Sequence, residues 1–248
     1  MPKITLNDVS LNYPIYASTS RSIKRDIINV LTMKKSIAKS ESISCIQALK
    51  NISFSLNQGD YLGLIGNNGA GKSTLLKVLT GIYEVSYGKI SVSGTVSSLL
   101  GSSVGMQPEL TGYENIRINS IIKGLSKRET ADITSDVEVF TELGHFLSLP
   151  VKMYSAGMQA RLAFAISTAI HPDILLIDEV IGAGDARFIN KAKDRMHNLL
   201  KKANVLVLAS HSTELIKQFC NKLLWLEQGE MRAFGSVESV MDQYLASV

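Results

Sequence analysis

The hydrophobic pattern changes period repeatedly along the chain. Lys3-Ile4-Thr5-Leu6-Asn7-Asp8-Val9 alternates polar and apolar positions, as a half-buried strand does. Ile52–Leu56 and Tyr61–Ile65 read as strands, with Gly59-Asp60 turning between them. Ile174–Ile177 and Val205–Ala209 are short, uninterrupted apolar runs, the pattern of strands covered on both faces of a parallel sheet. Further short strands are predicted at Lys89–Val92, Thr95–Leu99, Leu223–Leu226 and Glu230–Phe234. Helical spacing governs Lys72–Leu79, ended by Gly81, and Gly157–Ile170, ended before Pro172. It returns at Asp185–Lys202, Thr213–Cys220 and Val237–Leu245. From Thr111 to Leu149 the pattern is helical, with no convincing strand.

These elements predict an α/β fold with a mainly parallel sheet. Residues 1–100 supply an antiparallel β portion and the first parallel strand, 105–158 a helical subdomain, and 159–248 the rest of the α/β core, all within one domain. Residues 14–48 interrupt the first part as an insertion, in which Ile23, Ile27, Val30 and Leu31 share one helical face. No internal repeat or low-complexity tract is present.

Charge is concentrated in that insertion. Between Arg21 and Lys39 stand Arg21, Lys24, Arg25, Lys34, Lys35 and Lys39 against Asp26 alone, a net of +5 in a chain of +4 overall. So local an excess argues against a general nucleic-acid surface. It has two readings: a plain solvated amphipathic helix, or an element lying on an anionic membrane face. Cys45 and Cys220 lie far apart without metal-like spacing, so a reducing compartment is expected rather than a disulfide framework. No apolar run approaches the length of a membrane span, and no apolar signal region opens the chain.

The candidate chemistry begins after the strand Tyr61–Ile65. Gly66-Asn67-Asn68-Gly69-Ala70-Gly71-Lys72-Ser73-Thr74 fits the phosphate-loop pattern G-x-x-x-x-G-K-[ST], and a helix follows it. Inward-pointing backbone N–H groups and the positive end of that helix suit phosphate oxygens. Lys72 is placed to reach the β/γ-phosphates, and the Ser73 hydroxyl to bind Mg²⁺. ATP and Mg²⁺ are the expected ligands.

Three more signals follow. Ile174-Leu175-Leu176-Ile177-Asp178-Glu179 is an apolar strand ending in two acids: Asp178 suits Mg²⁺ through water, and Glu179 suits activation of an attacking water. Tyr154-Ser155-Ala156-Gly157-Met158 precedes a helix, with Ser155 as its cap. His211 stands directly after Val205–Ala209, where a ring N–H could meet a γ-phosphate or position water.

Taken together, these motifs resemble the nucleotide-binding subunit of an ABC transporter over nearly the whole chain. The resemblance implies a P-loop NTPase core with an antiparallel β subdomain and a helical signature subdomain. It identifies Tyr154-Ser155-Ala156-Gly157-Met158 with the family signature, Gly182-Ala183-Gly184-Asp185 with its D-loop and His211 with its switch histidine. It also implies two subunits packed head-to-tail around two ATP molecules, with Ser155 and Gly157 touching the γ-phosphate held by the other subunit, Glu179 and His211 catalytic, and a separate multi-span permease as partner. An aromatic stacking on adenine is implied as well, Tyr13 first and Tyr16 second.

Pro150-Val151-Lys152-Met153-Tyr154-Ser155-Ala156-Gly157-Met158, Leu110-Thr111-Gly112-Tyr113-Glu114-Asn115-Ile116 and the long 14–48 segment are similar to the subfamily that exports O-antigen, capsule and teichoic acid chains. The expectation is therefore an ATPase at the cytoplasmic face of the inner membrane that powers export of a lipid-linked polysaccharide. Alternatives are an ABC subunit for another cargo and a soluble non-transport ABC ATPase. A P-loop kinase or GTPase is disfavoured by the helical subdomain and the signature. The chain departs from the family at Ala156 and Met158, where Gly and Gln are commoner, and Gln107 lies nearer Leu110-Thr111 than the family's Mg²⁺-contacting Gln usually does, the usual position falling near Gly101-Ser102. Some relatives add a carbohydrate-binding domain after the ATPase; with this chain ending at Val248, none is expected, and substrate recognition falls mainly to the membrane subunit.

Overall fold

The computed structural model describes residues 1–15, 44–100, 105–170, 172–178 and 186–247. Nine strands form one sheet in the order β4-β1-β2-β9-β8-β3-β7-β6-β5. Its antiparallel end is built from β1 (Lys3–Ile15), β2 (Ser44–Asn57) and β4 (Tyr87–Ser93). Its other end is parallel: β8 (Lys222–Glu227), β3 (Tyr61–Ile65), β7 (Val205–Ala209), β6 (Ile174–Asp178) and β5 (Val96–Leu100). β9 (Glu230–Ser236) returns antiparallel on β8 and meets β2 at Lys50, which joins the two ends.

The uninterrupted apolar runs are the centre of this sheet. Leu62, Leu64, Leu175, Leu176, Val205, Leu206 and Val207 are all buried because helices cover both faces. On one face α1 (Lys72–Leu79) sets Leu75, Leu76 and Leu79 against Leu176, Val207 and the antiparallel strands. On the other, α5 (Ala186–Lys202) sets Met196, Leu199 and Leu200 against Leu175, Ile177 and Leu206. The short α6 (Thr213–Phe219) and the last helix, α7 (Val237–Leu245), close the β8 end through Ile216, Val240 and Met241.

A second core is helical. α2 (Gly112–Ile122) and α3 (Lys127–Thr141) each start at a capping box, Thr111 with Glu114 and Ser126 with Glu129. Two 3₁₀ turns, Gly144–Ser148 and Val151–Met153, lead into α4 (Ala156–Thr168). Ile116, Val137, Phe140, Leu147, Tyr154 and Leu162 pack together, and Phe188 and Ala192 of α5 join them. The helical core therefore extends past the expected boundary at residue 158, because α4 runs through it and contributes Leu162, Ala165 and Ile166.

The insertion is narrower than 14–48. β1 continues to Ile15 and β2 begins at Ser44, so Tyr13, Pro14 and Ile15 pair with Ile46, Cys45 and Ser44 as the arm of a long hairpin. The helical face at Ile23–Leu31, the basic run and Tyr16 lie outside the described residues.

Candidate active site

The phosphate loop is shaped by what surrounds it. Gly66, Gly69 and Gly71 all adopt positive φ, at 143°, 79° and 106°. Gly66 also has no room for a side chain, because the Leu226 carbonyl of β8 lies where a β-carbon would project. Gly71 is the N-cap of α1, and a β-carbon there would meet the Ala48 carbonyl and Leu49 at 3.1 Å. The turn at Gly229 holds the loop from outside: its N–H donates to the Ala70 carbonyl at 3.0 Å, while its carbonyl accepts from the Lys50 N–H at 2.8 Å. Within the loop, Ala70 N–H donates to the Asn67 carbonyl at 3.1 Å.

Lys72 folds back over this loop. Its Nζ donates to the Gly66 carbonyl at 2.6 Å and to the Asn67 carbonyl at 3.2 Å, and the residue is 9% exposed. An ammonium kept dry by its own loop stands where an anion can exchange with those carbonyls. Ser73, Asn67, Asn68 and Gly69 are exposed, and Thr74 is half-buried.

Sheet register assembles the rest. Leu64 of β3 pairs with Ala209 of β7, and Ala209 with Asp178 of β6, so three strands end at one level. The loop at Gly66, the Asp178 carboxylate and His211 thus leave the same carboxyl edge of the parallel sheet, the edge where open α/β sheets bind ligands. Asp178 is half-buried, and His211 is exposed. Between Ala209 and His211, Ser210 is buried, and its Oγ accepts from Ser212 N–H at 3.0 Å. Glu179 and Gly182–Asp185 lie outside the described residues.

Tyr13 sits near Thr74. Its ring meets Tyr83 edge-on, with centroids 5.3 Å apart at 82°, and burial pushes its phenol above the ordinary range despite a hydrogen bond with Thr74 that lowers it. Lys77 approaches the Tyr83 ring at 5.6 Å. The structure thus brings Tyr13 to the phosphate-loop helix through its hydroxyl, while its ring packs on Tyr83 beyond the end of that helix.

The signature lies on α4. Ser155 caps the helix, its Oγ accepting from Met158 N–H at 3.2 Å. Gly157 has open space around it: a β-carbon there would find only Ser155 Oγ, at 3.9 Å. Among the described residues, nothing requires glycine at 157.

One residue of this region has a role that the motifs do not declare. Asn115, 1% exposed, organises the segment before α2. Its Nδ2 donates to the carbonyls of Gln107, Leu110 and Thr111 at 3.0, 3.2 and 2.9 Å, and its Oδ1 accepts from Gln107 N–H at 2.7 Å. That segment pairs with the start of the signature: Val151 N–H donates to the Leu110 carbonyl and Lys152 N–H to the Pro108 carbonyl, while Tyr154 Oη donates to the Phe146 carbonyl of the preceding 3₁₀ turn at 2.6 Å. The main chain of Gln107 is engaged with Asn115 at the foot of α2. The run Leu110–Ile116 contained this amide, and only its burial shows what it does.

A phosphate loop on the carboxyl edge of a parallel sheet, with an acid-ended strand two positions away and a helical unit bearing a capped signature, defines an ATP-binding cassette. The family described as ABC transporter matches residues 49–182, and the chain belongs to it as an ABC-type ATPase. It is 44% identical to the O-antigen export system ATP-binding protein RfbE of Yersinia enterocolitica, over 92% of this chain and 96% of that protein. It is 34% identical to the teichoic acids export ATP-binding protein TagH of Listeria monocytogenes serotype 4b, over 98% of this chain and 69% of that protein. It is 36% identical to the O-antigen export system ATP-binding protein RfbB of Myxococcus xanthus, over 92% of this chain and 51% of that protein. Among solved structures it is similar in fold to an ATP-binding subunit of an ABC transporter, with TM-score 0.72 and 23% identity over 97% of this chain and 92% of that one. It is also similar to the post-hydrolysis dimer of the ATP-binding cassette MJ0796 bound to ADP and Pi, with TM-score 0.68 and 19% identity over 94% and 98%.

Proposed function

We propose that this chain is the ATP-hydrolysing subunit that powers export of a lipid-linked polysaccharide of O-antigen, capsule or teichoic acid type. It works as a pair of identical subunits on the cytoplasmic face of the inner membrane, joined to a separate permease. The observation that carries this reading is the 44% identity with an O-antigen export ATP-binding protein along almost the whole of both chains, on top of a phosphate loop built at the sheet edge. Among the described residues no helix is long and apolar enough to cross a membrane, so the spanning path belongs to the partner in this reading.

The chemistry follows from the edge. Gly66–Thr74 wraps the β- and γ-phosphates with main-chain N–H groups, and Lys72 exchanges its contacts with the Gly66 and Asn67 carbonyls for phosphate oxygens. Exposed Ser73 at the head of α1 and the Asp178 carboxylate at the strand end are hard oxygen donors, the set that suits Mg²⁺. The ion, when bound, offsets charge developing on the β- and γ-oxygens. Glu179 withdraws a proton from the attacking water, and His211 orients the terminal phosphate or that water. Tyr13 carries the adenine against its ring.

Each subunit alone is incomplete. Ser155 sits at the exposed start of α4, and Gly157 has free space around it; both suit contact with a γ-phosphate held by a second copy. Two copies related by a two-fold axis then complete two sites.

The test uses the Glu179→Gln variant, tagged and purified with ATP and Mg²⁺ from detergent-solubilised membranes of its native host. The expected result is an equimolar multi-span membrane protein. A soluble homodimer without any membrane partner would overturn the export reading and leave a non-transport ATPase.

A further inference from the structure

Helices α3, α4 and α5 meet at a node that no step of the ATP chemistry above uses. Arg195 of α5 is its centre. Its Nε donates to Thr168 Oγ1 of α4 at 2.8 Å, and its two terminal nitrogens grip the Asp136 carboxylate of α3, Nη1 at 3.1 Å from Oδ1 and Nη2 on Oδ2. The guanidinium plane lies over Phe140 of α3, 4.4 Å from the ring centre. Its side chain is 16% exposed. Thr168 is buried and donates its own proton to the Phe164 carbonyl at 2.7 Å, which leaves its oxygen oriented to accept from Arg195.

The surroundings repeat the same three-way contact. Phe140 of α3, Phe164 of α4 and Phe188 of α5 touch one another, with centroids 5.4–6.1 Å apart. Lys191, one turn before Arg195, closes the end of α3 by donating to the carbonyls of Val139 and Phe140 at 3.1 and 2.9 Å, beside Glu142 at 2.9 Å. A cation on the last carbonyls of α3 opposes the negative end of that helix.

The three helices carry different parts of the site. α4 opens at Ser155, which serves the partner's nucleotide, while α5 follows the segment bearing Glu179, which serves the subunit's own. α3 is the outer helix of the helical unit. We infer that Arg195 is a positioning residue of the ATPase: it locks the signature helix and the helical unit to α5, and so fixes where Ser155 is presented relative to Glu179. The inference rests on the two-subunit reading above. Arginine is required because one planar fork meets a hydroxyl, both oxygens of a carboxylate and an aromatic face at once; lysine offers a single point charge.

The experiment compares the full-length wild type with Arg195→Met, Arg195→Lys and Asp136→Asn. Steady-state ATP hydrolysis is measured against ATP and against subunit concentration, together with binding of a fluorescent ATP analogue and amide hydrogen exchange. In Arg195→Met, kcat falls about tenfold, within the scale of sub-ångström to ångström misplacement, while KM and analogue affinity stay within about twofold, because the phosphate loop in the same subunit is untouched. Exchange rises in α3 and the first turn of α4 and stays unchanged in α1. Lysine restores less than half of the lost rate, and Asp136→Asn, which keeps the Thr168 contact, falls between.

A kcat within twofold of wild type in all three variants overturns the positioning role. So does a joint loss of kcat and analogue affinity with raised exchange in α1, which marks general loosening. If Arg195→Met does not fold, Asp136→Asn decides, since it alters an exposed carboxylate. A wild type that stays monomeric with ATP and Mg²⁺ and still turns over with a specific activity independent of subunit concentration removes the two-subunit reading itself, which separates that failure from inert Arg195 variants in an enzyme that works as a pair.

Discussion

The carbonyl oxygen of Leu226 occupies the place where a β-carbon on Gly66 would project. Gly66 is also at φ 143°, so an added methyl group meets backbone strain and a main-chain atom together. Leu226 lies in β8, hydrogen-bonded into the sheet, and has nowhere to withdraw. Gly66→Ala is therefore expected to cost about 1–3 kcal/mol in strain alone, a fall in Tm of roughly 2–12 °C for a domain of this size. ATP-analogue binding should be lost with it. Thermal unfolding and fluorescent nucleotide titration check both.

Gly157 makes the opposite prediction. It lies in the first turn of α4 in open space, so alanine there fits the helix and leaves Tm unchanged or slightly raised. If its place is against a γ-phosphate of a second subunit, Gly157→Ala still lowers kcat, on the order of tenfold, by keeping that subunit off the transferring group. Equal kcat in the variant and wild type would remove the trans role of the signature.

Lys72 and Glu179 should separate binding from turnover. Losing Lys72 removes charge-assisted hydrogen bonds to the phosphates worth about 1.5–3 kcal/mol, so Lys72→Ala weakens ATP-analogue binding by roughly 10- to 150-fold. Glu179→Gln keeps the loop intact and removes the proposed base, so affinity holds while kcat falls by roughly 10²- to 10⁴-fold. Wild-type turnover in Glu179→Gln would show that the base lies elsewhere.

Much of this was legible in the sequence, for reasons that differ from element to element. Val205–Ala209 and Val237–Leu245 were read from end to end, because a strand covered on both faces and an amphipathic helix each leave an unbroken local pattern. β1 and β2 are longer than read, since their pairing shifts register near Asp8 and Asn51, both at positive φ, and the alternation breaks there. The order of phosphate loop, acid-ended strand and His211 was visible because those residues must follow strands that end at one sheet edge. Asn115 and Arg195 were not. The partners of Asn115 are main-chain groups, which leave no side-chain signature, and Arg195 meets Asp136 across 59 positions, beyond any helical spacing.

Asp173 gives a prediction in pH. The Thr95 N–H at 2.9 Å holds its carboxyl below the ordinary range, helped by the Thr95 hydroxyl at 2.8 Å and by Asn204 at 3.2 Å. These contacts tie the starts of β5, β6 and β7. A carboxylate depressed in the folded state contributes stability that is fully present above the unfolded value, near 4, and is lost as pH falls through the folded one. Asp173→Asn should therefore lower Tm at pH 7, and the gap to wild type should narrow as pH is taken below 4. A gap of the same size at both ends of that range would assign the effect to shape rather than charge.

The basic segment is the remaining test of where the ATPase works. Its six cations stand between Ile15 and Ser44, the two ends of the β1–β2 arm, and they account for more than the whole net charge of the chain. At an anionic membrane face each such residue contributes about 1 kcal/mol, so replacing Lys24, Arg25, Lys34 and Lys35 with Gln removes up to about 4 kcal/mol of surface attraction. None of the four is among the ATP-binding residues proposed above, so hydrolysis by the purified subunit should keep its wild-type kcat and KM. Polymer delivered to the cell surface should fall, and co-sedimentation with anionic vesicles should fall with it. Undiminished export in the fourfold variant would mean that the charge serves only to solvate this segment.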